Sequence, residues 1–368
     1  MFEKRGYRIA SFNIEKFGEN SVEIRVGKSR KDIDAIAEII EKNQIDILAI
    51  QEISHQSALK ALIEKLAGPA REERLPSKSN LTKETYGYIT KTWEGRWAKP
   101  ASKYSDRAAE GYAFLWNRRR IKLVTNYKGE AFEPRIGFNL REGKLVRSPL
   151  IGRFMPINAR YEFRLINMHF AWAKPSNIID QDDEDLRSKD GQALREEELQ
   201  TIFNTVYPSL AKQQYDSNRI DRYARPLSPY TFLLGDYNLN LPSIPPKGTG
   251  ATMRDSLREY ECGKLKIVTV NGELTTLKRS PRDPEKAEIF RNDPELQKHL
   301  ANNYDHFSYD QKRLIDNEVA EPAVFVIPAY EKYQSKGNDS QQQFDTYRDK
   351  ISDHLPIILD IDVREKRR

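Results

Sequence analysis

The chain carries one cysteine, Cys262, in 368 residues, so no intramolecular disulfide can form and no disulfide-linked partner is expected. No apolar run approaches the ~18 residues needed to span a membrane. Residues 1–14, MFEKRGYRIASFNI, hold no apolar signal region and pass directly into a strand pattern. These absences predict a soluble, cytoplasmic protein with no membrane partner. Several catalytic signatures are missing as well. There is no GxxxxGK[ST] phosphate loop, no HExxH helix and no GxSxG elbow, which argues against P-loop, zincin and serine acyl-hydrolase chemistry. Histidine is scarce, with only His55, His169, His299, His306 and His354.

What is present suits a large core. Hydrophobic residues make up 38% of the chain and aromatics 10%, while charged residues reach 32% with a formal net charge of +6. A positive excess is compatible with a polyanionic partner, although many soluble proteins share it. No repeat or low-complexity linker divides the chain. Residues 1–368 therefore read as a single domain with insertions near 68–110, 171–229 and 278–302. The oligomeric state is not specified by any pattern in the sequence.

Short apolar runs rich in β-branched and aromatic residues predict strands at 7–14, 45–53, 112–117, 149–157, 163–170, 230–238, 264–270 and 323–330, with a last one in KISDHLPIILDI at 350–361. Apolar residues at three- and four-residue spacing predict helices at 31–43, 56–66 and 195–210. The first strands bracket a helix and later ones follow each other more closely, which favours a layered α/β domain with mixed sheets. Polar segments at 68–85, 171–194 and 278–302 read as long loops. The densest charge run, DQDDED at 180–185, reads as solvated surface.

The informative residues are polar ones at the tips of apolar strands. Asn13 closes IASFNI, Glu52 closes IDILAIQE, His169 ends FRLINMH, Asp236 and Asn238 follow YTFLLG, and Asp353 and His354 open the last strand. Singly, each has an ordinary explanation in turns or satisfied core polarity. Together they supply oxygen ligands and two imidazoles. Such oxygen donors suit Mg2+, whereas zinc is disfavoured by the lack of paired cysteine spacing. A divalent ion with two histidines fits hydrolysis of a phosphate ester.

The ordered segments IASFNIEKFGE, DILAIQE, EGYAFLWN, VRSPLIGRF, INMHF, LLGDYNLN, NYDHF and ISDHLPI resemble the endonuclease/exonuclease/phosphatase superfamily, and within it the deoxyribonuclease I branch. The similarity runs from about residue 7 to 361. It implies a four-layer α/β sandwich, two mixed β-sheets flanked by helices, with the site at one edge. It further implies that Asn13 and Glu52 are metal-site residues, with Glu52 the direct ligand and Asp353 a secondary carboxylate. Asp236 and Asn238 match residues that orient the attacking water and bind the scissile phosphate. His169 and His354 match the acid–base pair, with Glu110 orienting the first and Asp305 the second. Arg147 matches a phosphate-contacting arginine. The implied cofactor is Mg2+, with Mn2+ able to substitute. His55 and His306 match no functional position and read as structural.

Departures from that pattern bear on substrate. Ser54 and Ala108 stand where the branch carries a groove-reading arginine and a groove-packing tyrosine. Arg96, Lys99, Lys103 and Arg107 could replace that grip through phosphate contacts. Trp93 and Trp97 either stack on unpaired bases or pack their loop onto the core. The expectation is a Mg2+-dependent phosphodiesterase cutting DNA with little sequence preference. The alternative is a phosphatase or phosphodiesterase of a smaller substrate such as a phosphoinositide or nucleotide. Against the phosphoinositide branch, its WxGDxNxR is absent, with Leu233 and Leu234 preceding Gly235 and Asn240 following Leu239. Against abasic-site nucleases, QETK reads QEIS. A catalytically silent binding module would have lost His169, Asp236 or His354, and all three are kept.

Overall fold

A computed structural model describes residues 6–18, 31–75, 82–100, 110–126, 128–137, 145–158, 161–171, 191–212, 228–241, 259–262, 265–270, 274–278, 299–316, 319, 322–333 and 340–362. The chain enters through β1 (Tyr7–Phe17), α1 (Ile33–Lys42), β2 (Ile47–Ile53) and α2 (Gln56–Ala67). It continues through β3 (Arg71–Arg74), β4 (Thr82–Ile89), β5 (Trp93–Pro100), β6 (Gly111–Asn117), β7 (Ile121–Leu123) and β8 (Arg135–Ile136). Next come β9 (Leu150–Pro156), β10 (Tyr161–His169), α3 (Gly191–Thr201), a π-turn (Ile202–Val206), α4 (Tyr207–Lys212) and β11 (Ser228–Asp236). The last part holds β12 (Glu259–Cys262), β13 (Leu265–Val270), β14 (Asp305–Asp310), α5 (Gln311–Asp316), β15 (Ala323–Val326), α6 (Ser340–Lys350) and β16 (Ile357–Ile361).

These strands form two mixed sheets. The first runs β15-β16-β1-β2-β6-β5-β4-β3, with β1 and β2 parallel. The second runs β12-β13-β14-β11-β10-β9-β7, with β8 also paired to β9 and β10 parallel to β11. Strand parity explains why they stack. In β1, Ile9 faces the second sheet while Ala10, Phe12 and Ile14 face helices. In β2, Ile47 and Ala49 face the second sheet, and Leu48 and Ile50 face α1 and α2. In β10, Phe163 and Leu165 face the first sheet while Ile166 and Met168 meet α3 and the π-turn. Both faces of each central strand are apolar, so each sheet needs a cover on both sides. The result is the expected helix–sheet–sheet–helix sandwich. Caps fit the local sequence: Asp32 accepts from the Ala35 amide at the start of α1, and His55 Nδ1 accepts from the Ser57 amide at the start of α2.

Several expectations need correction. The 68–85 loop contains β3 and the start of β4, and the 92–110 loop contains β5. Their period-2 pattern is diluted by surface charges, as in REER of β3, and hides in a polar composition. Arg96 is buried and ion-paired to Glu94 at 2.7 Å and Glu133 at 2.5 Å, so it is not a phosphate contact. Trp93 and Trp97 are buried against the helix layer, which settles their role as packing. Lys99 lies within β5, half-buried, while Lys103, Arg107 and Ala108 lie outside the described residues. So do DQDDED and most of 171–194 and 278–302. The helix expected at 195–210 begins at Gly191 and is broken by the π-turn. Among the described residues, no helix is long and apolar enough to cross a membrane.

Candidate active site

The site grows out of the parity that builds the core. Along the faces between the sheets, apolar residues give way to polar ones toward one edge: Ile9 to Ser11 and Asn13, Ala49 to Gln51, Leu165 to Asn167 and His169, Leu234 to Asp236. Adjacent strands place His169 opposite Asp236, and Asp236 opposite Asp305, in one row of the second sheet. Just inside that edge, Gln51 Nε2 donates to Asn167 Oδ1 at 2.7 Å, and Asn167 Nδ2 donates to the carbonyls of Ile50 and Ala113. This buried network ties the two sheets together directly beneath the site. Gly235 precedes Asp236 with φ +141, and a Cβ there would sit 1.9 Å from the Met168 carbonyl oxygen, so only glycine fits.

Asp236 lies at the centre. Its Oδ2 accepts from Asn13 Nδ2 at 3.0 Å and lies 3.5 Å from Nε2 of both His169 and His354. Its Oδ1 accepts from the Asn238 amide at 2.8 Å. Asn238, at φ +50, donates through Nδ2 to the Phe170 carbonyl at 3.0 Å. Burial raises the Asp236 carboxyl above its usual range, against the opposing pull of both imidazoles.

Each histidine has a carboxylate behind it. His354 Nδ1 meets Asp305 Oδ2 at 2.8 Å, and Asp305 is fully buried. Burial opposes protonation of His354, but Asp305 and Asp236 outweigh it and hold the ring well above the ordinary imidazole value. His169 Nδ1 lies 3.0 Å from Glu110 Oε2 and 2.7 Å from Arg147 NH1, while Arg147 and Glu110 are paired at 2.9 Å. Nδ1 cannot both donate to Glu110 and accept from Arg147. With the proton on Nδ1 donated to Glu110, Arg147 pairs with the Glu110 carboxylate rather than with the ring. Burial and Arg147 press the His169 value down, yet Glu110 and Asp236 leave it raised. The counterpart holds for Glu110, whose carboxyl falls to about 2 as His169 and Arg147 overcome the effect of burial.

Glu52 comes from the first sheet by a different route. Strand parity would point it at the helices, but the β2–β6 register shifts between Ile50 and Ile53, and Glu52 takes φ +58. Its Oε1 accepts from Asn13 Nδ2 at 3.0 Å and lies 3.8 Å from His169 Nε2. One oxygen or nitrogen each from Glu52, Glu110 and His169 lie within 4.8 Å of one another. Ser352, at the mouth of the last strand, donates to the Asn13 carbonyl at 2.6 Å and accepts from the His354 amide at 3.1 Å. It is turn chemistry and a tether for His354 together. Asp353 sits half-exposed beside this turn, and no hydrogen bond joins its carboxylate to the cluster among the described residues.

The structure thus brings together Asn13, Glu52, Glu110, Arg147, His169, Asp236, Asn238, Asp305 and His354, and leaves Asp353 at the rim. Arg147 stands on the Nδ1 side of His169, away from the Nε2 face that meets Asp236. His55 caps a helix, and His306 is buried with Nε2 2.8 Å from the Leu239 carbonyl, its value pushed down to about 4 by burial. Sequence reading passed over Thr275, whose hydroxyl accepts from the Tyr304 and Asp305 amides and whose carbonyl accepts from Leu355. A lone threonine in a polar stretch carries no signal. It also passed over Tyr112, whose hydroxyl accepts from the His169 amide at 3.2 Å, and over Asn167, a polar residue inside INMHF that could have been flagged.

A family profile described as the Endonuclease/Exonuclease/phosphatase family matches residues 10–354. No curated protein sequence matches the chain. Among solved structures, an endonuclease/exonuclease/phosphatase from Bacteroides vulgatus matches with 11% identity and TM-score 0.48, covering 98% of this chain and 100% of that one. D. rerio TDP2 complexed with single strand DNA product matches with 10% identity and TM-score 0.47, covering 97% and 98%. A mannosyl-6-phosphatase from Bacteroides thetaiotaomicron matches with 12% identity and TM-score 0.42, covering 97% and 99%. Those names span DNA and a sugar phosphate, and no substrate for this chain follows from them. The family match takes in every strand that carries the cluster from Asn13 to His354, and the chain belongs to the Endonuclease/Exonuclease/phosphatase family, metal-dependent hydrolases of phosphoester bonds.

Proposed function

We propose that the chain is a Mg2+-dependent phosphodiesterase that cuts DNA with little sequence preference. The observation that carries the phosphodiesterase reading is the shared carboxylate: Nε2 of His169 and of His354 each lie 3.5 Å from Asp236 Oδ2, and each ring has a carboxylate at Nδ1. Two positioned rings around one buried acid suit a reaction that takes a proton from water and returns one to a departing oxygen.

The donor set fits a divalent cation. Asn13 Oδ1 is buried with no hydrogen-bond partner, and it neighbours the half-buried carboxylate of Glu52. Glu52 and Asn13 would hold the ion, with Asp353 contributing from the rim. Oxygen donors with few carboxylates favour Mg2+, and Mn2+ would substitute. When bound, the ion supplies neutralisation of charge developing on the phosphate oxygens. The chain's own residues do the remaining work. Asp236 and Asn238 orient the attacking water and the scissile phosphate. His169 and His354 divide the two proton transfers. Glu110 and Asp305 fix each ring so that Nε2 faces the reacting atoms. Arg147 steadies the Glu110–His169 pair and adds positive charge behind the phosphate.

DNA is favoured over a small ester by the net positive charge and by the resemblance to the deoxyribonuclease I branch. A second reading, a small phosphate ester as substrate, is favoured by one observation: Arg96, Trp93 and Trp97 are buried and offer no grip on a strand. The test is incubation with supercoiled plasmid in Mg2+ or EDTA, beside His354→Ala. Nicking that needs both the metal and His354 supports the nuclease. An inert plasmid, with metal-dependent turnover of bis(4-nitrophenyl) phosphate in the same buffer, would overturn the DNA assignment and leave the phosphodiesterase.

A further inference from the structure

Glu198 lies on α3, in the region read from sequence as an insertion, and it is fully buried. Among the described residues no lysine, arginine or histidine forms an ion pair with it. Its Oε1 accepts from the Val146 amide at 2.9 Å and its Oε2 from the Ala171 amide at 3.0 Å. Burial pushes its carboxyl up to about 7 despite those two amides and the nearby charges of Arg147 and His169. A carboxylate buried on two amides alone is an expensive arrangement, and the bland alternative, a glutamine or an apolar residue, would serve a plain core.

The two amides are not arbitrary. Val146 directly precedes Arg147. The Ala171 amide belongs to the peptide whose carbonyl, that of Phe170, accepts from Asn238 Nδ2 at 3.0 Å. One carboxylate therefore grips the backbone beside Arg147 with one oxygen. With the other it holds the peptide plane on which Asn238 rests. Leu194, Val146 and Ala171 close an apolar cluster around the strap and keep water away from it. Hydrogen bonds in such a dry chain reinforce one another.

We propose that Glu198 is a positioning residue for phosphate recognition, acting through Arg147 and Asn238. The inference rests on the proposed function above, in which Asn238 orients the scissile phosphate and Arg147 supplies positive charge behind it. Glu198 touches no substrate. It makes the helix that sequence reading left as an insertion an integral support of the site.

The experiment compares wild type, Glu198→Gln, Glu198→Ala, Arg147→Ala and Glu198→Ala/Arg147→Ala. The readouts are kcat and KM for bis(4-nitrophenyl) phosphate, Ki for inorganic phosphate, and the thermal midpoint. Outer supports of a site are typically worth about 10- to 100-fold. The expected result is a rise of that size in phosphate Ki and in KM for Glu198→Ala, with a smaller change in kcat. Glu198→Gln keeps one acceptor oxygen at nearly the same volume, so it should fall between the two and carry the test if the alanine variant fails to fold. In the double variant the Ki should rise by less than the product of the single effects. A folded variant whose melting point or kcat drops while phosphate Ki stays at the wild-type value would overturn the proposal, because a purely structural role predicts that pattern. A wild type inert toward every phosphodiester would end the site reading and this inference with it. An active wild type with insensitive Glu198 variants ends this inference alone.

Discussion

The two halves of the site make the same kind of pair by different means. On one side His354 leans on Asp305, which is fully buried, begins β14 and is held by the Thr275 hydroxyl. On the other side His169 leans on Glu110, whose side chain is 32% exposed and shared with Arg147. The first half is a closed dyad in which one carboxylate has one ring to serve. The second is a triad open to solvent, where a cation competes for the carboxylate. A buried single partner commits the ring's orientation strongly, whereas a shared, wetter one can be replaced in part by the arginine and by water.

The sharpest way to break the comparison is to remove each ring. His354→Ala and His169→Ala should each lower kcat for a phosphodiester by about 10³-fold, within the range expected of proton transfer in the transition state. Equal and total loss in both would say that Asp236 needs both neighbours. Near-normal turnover in either variant would remove that histidine from the chemistry. Next in size is Asp305→Asn, expected to cost about 10²-fold in kcat, because the amide can present its NH2 to Nδ1 and select the wrong tautomer. Glu110→Gln should cost only about 10-fold, since Arg147 remains beside the ring. Steady-state kinetics of the two variants side by side would test this. A larger loss for Glu110→Gln than for Asp305→Asn would reverse the asymmetry.

The smallest expected effect concerns stability. The Glu198 carboxyl rises from an ordinary value of 4.5 to about 7 in the folded protein, so the fold binds an extra proton between those values. Its contribution is fully present below about 4.5 and is lost as pH rises through 7. Glu198→Gln should flatten that part of the profile. The variant-minus-wild-type difference in urea midpoint should drift by an amount worth up to about 3 kcal/mol across the window and level off above it. A constant difference from pH 4.5 to 7.5 would show that this carboxyl is not raised.

How much of this was readable beforehand depends on which physical rule placed each residue. Asn13, His169 and Asp236 are polar residues at the tips of strongly apolar runs, so their positions were legible from local composition. The parity that aims them inward shows only in the packed sheets. His354 was marked by a polar pair opening a strongly apolar strand. Glu110, Arg147 and Asp305 were nameable only through resemblance, because their local sequence has no periodic signal. Strands β3 to β5 were mistaken for loops, since an extending edge of a sheet is polar enough to look unstructured. Arg96 was accordingly expected to reach a phosphate and is buried instead, and of the two readings open for Trp93 and Trp97 the packing one holds.

By itself the sequence determined most of the core strands, the polar ends that close their apolar runs, and the chemical class of the residues gathered there. Those follow from a two-residue period and from side-chain chemistry, which are local properties. The tertiary structure alone decided that Glu52 turns toward Asn13, that Arg147 stands behind His169, and that Glu198 reaches two distant amides. A bulge, an ion-pair geometry and a helix docked from afar depend on contacts between segments remote in the chain, and no local pattern encodes them.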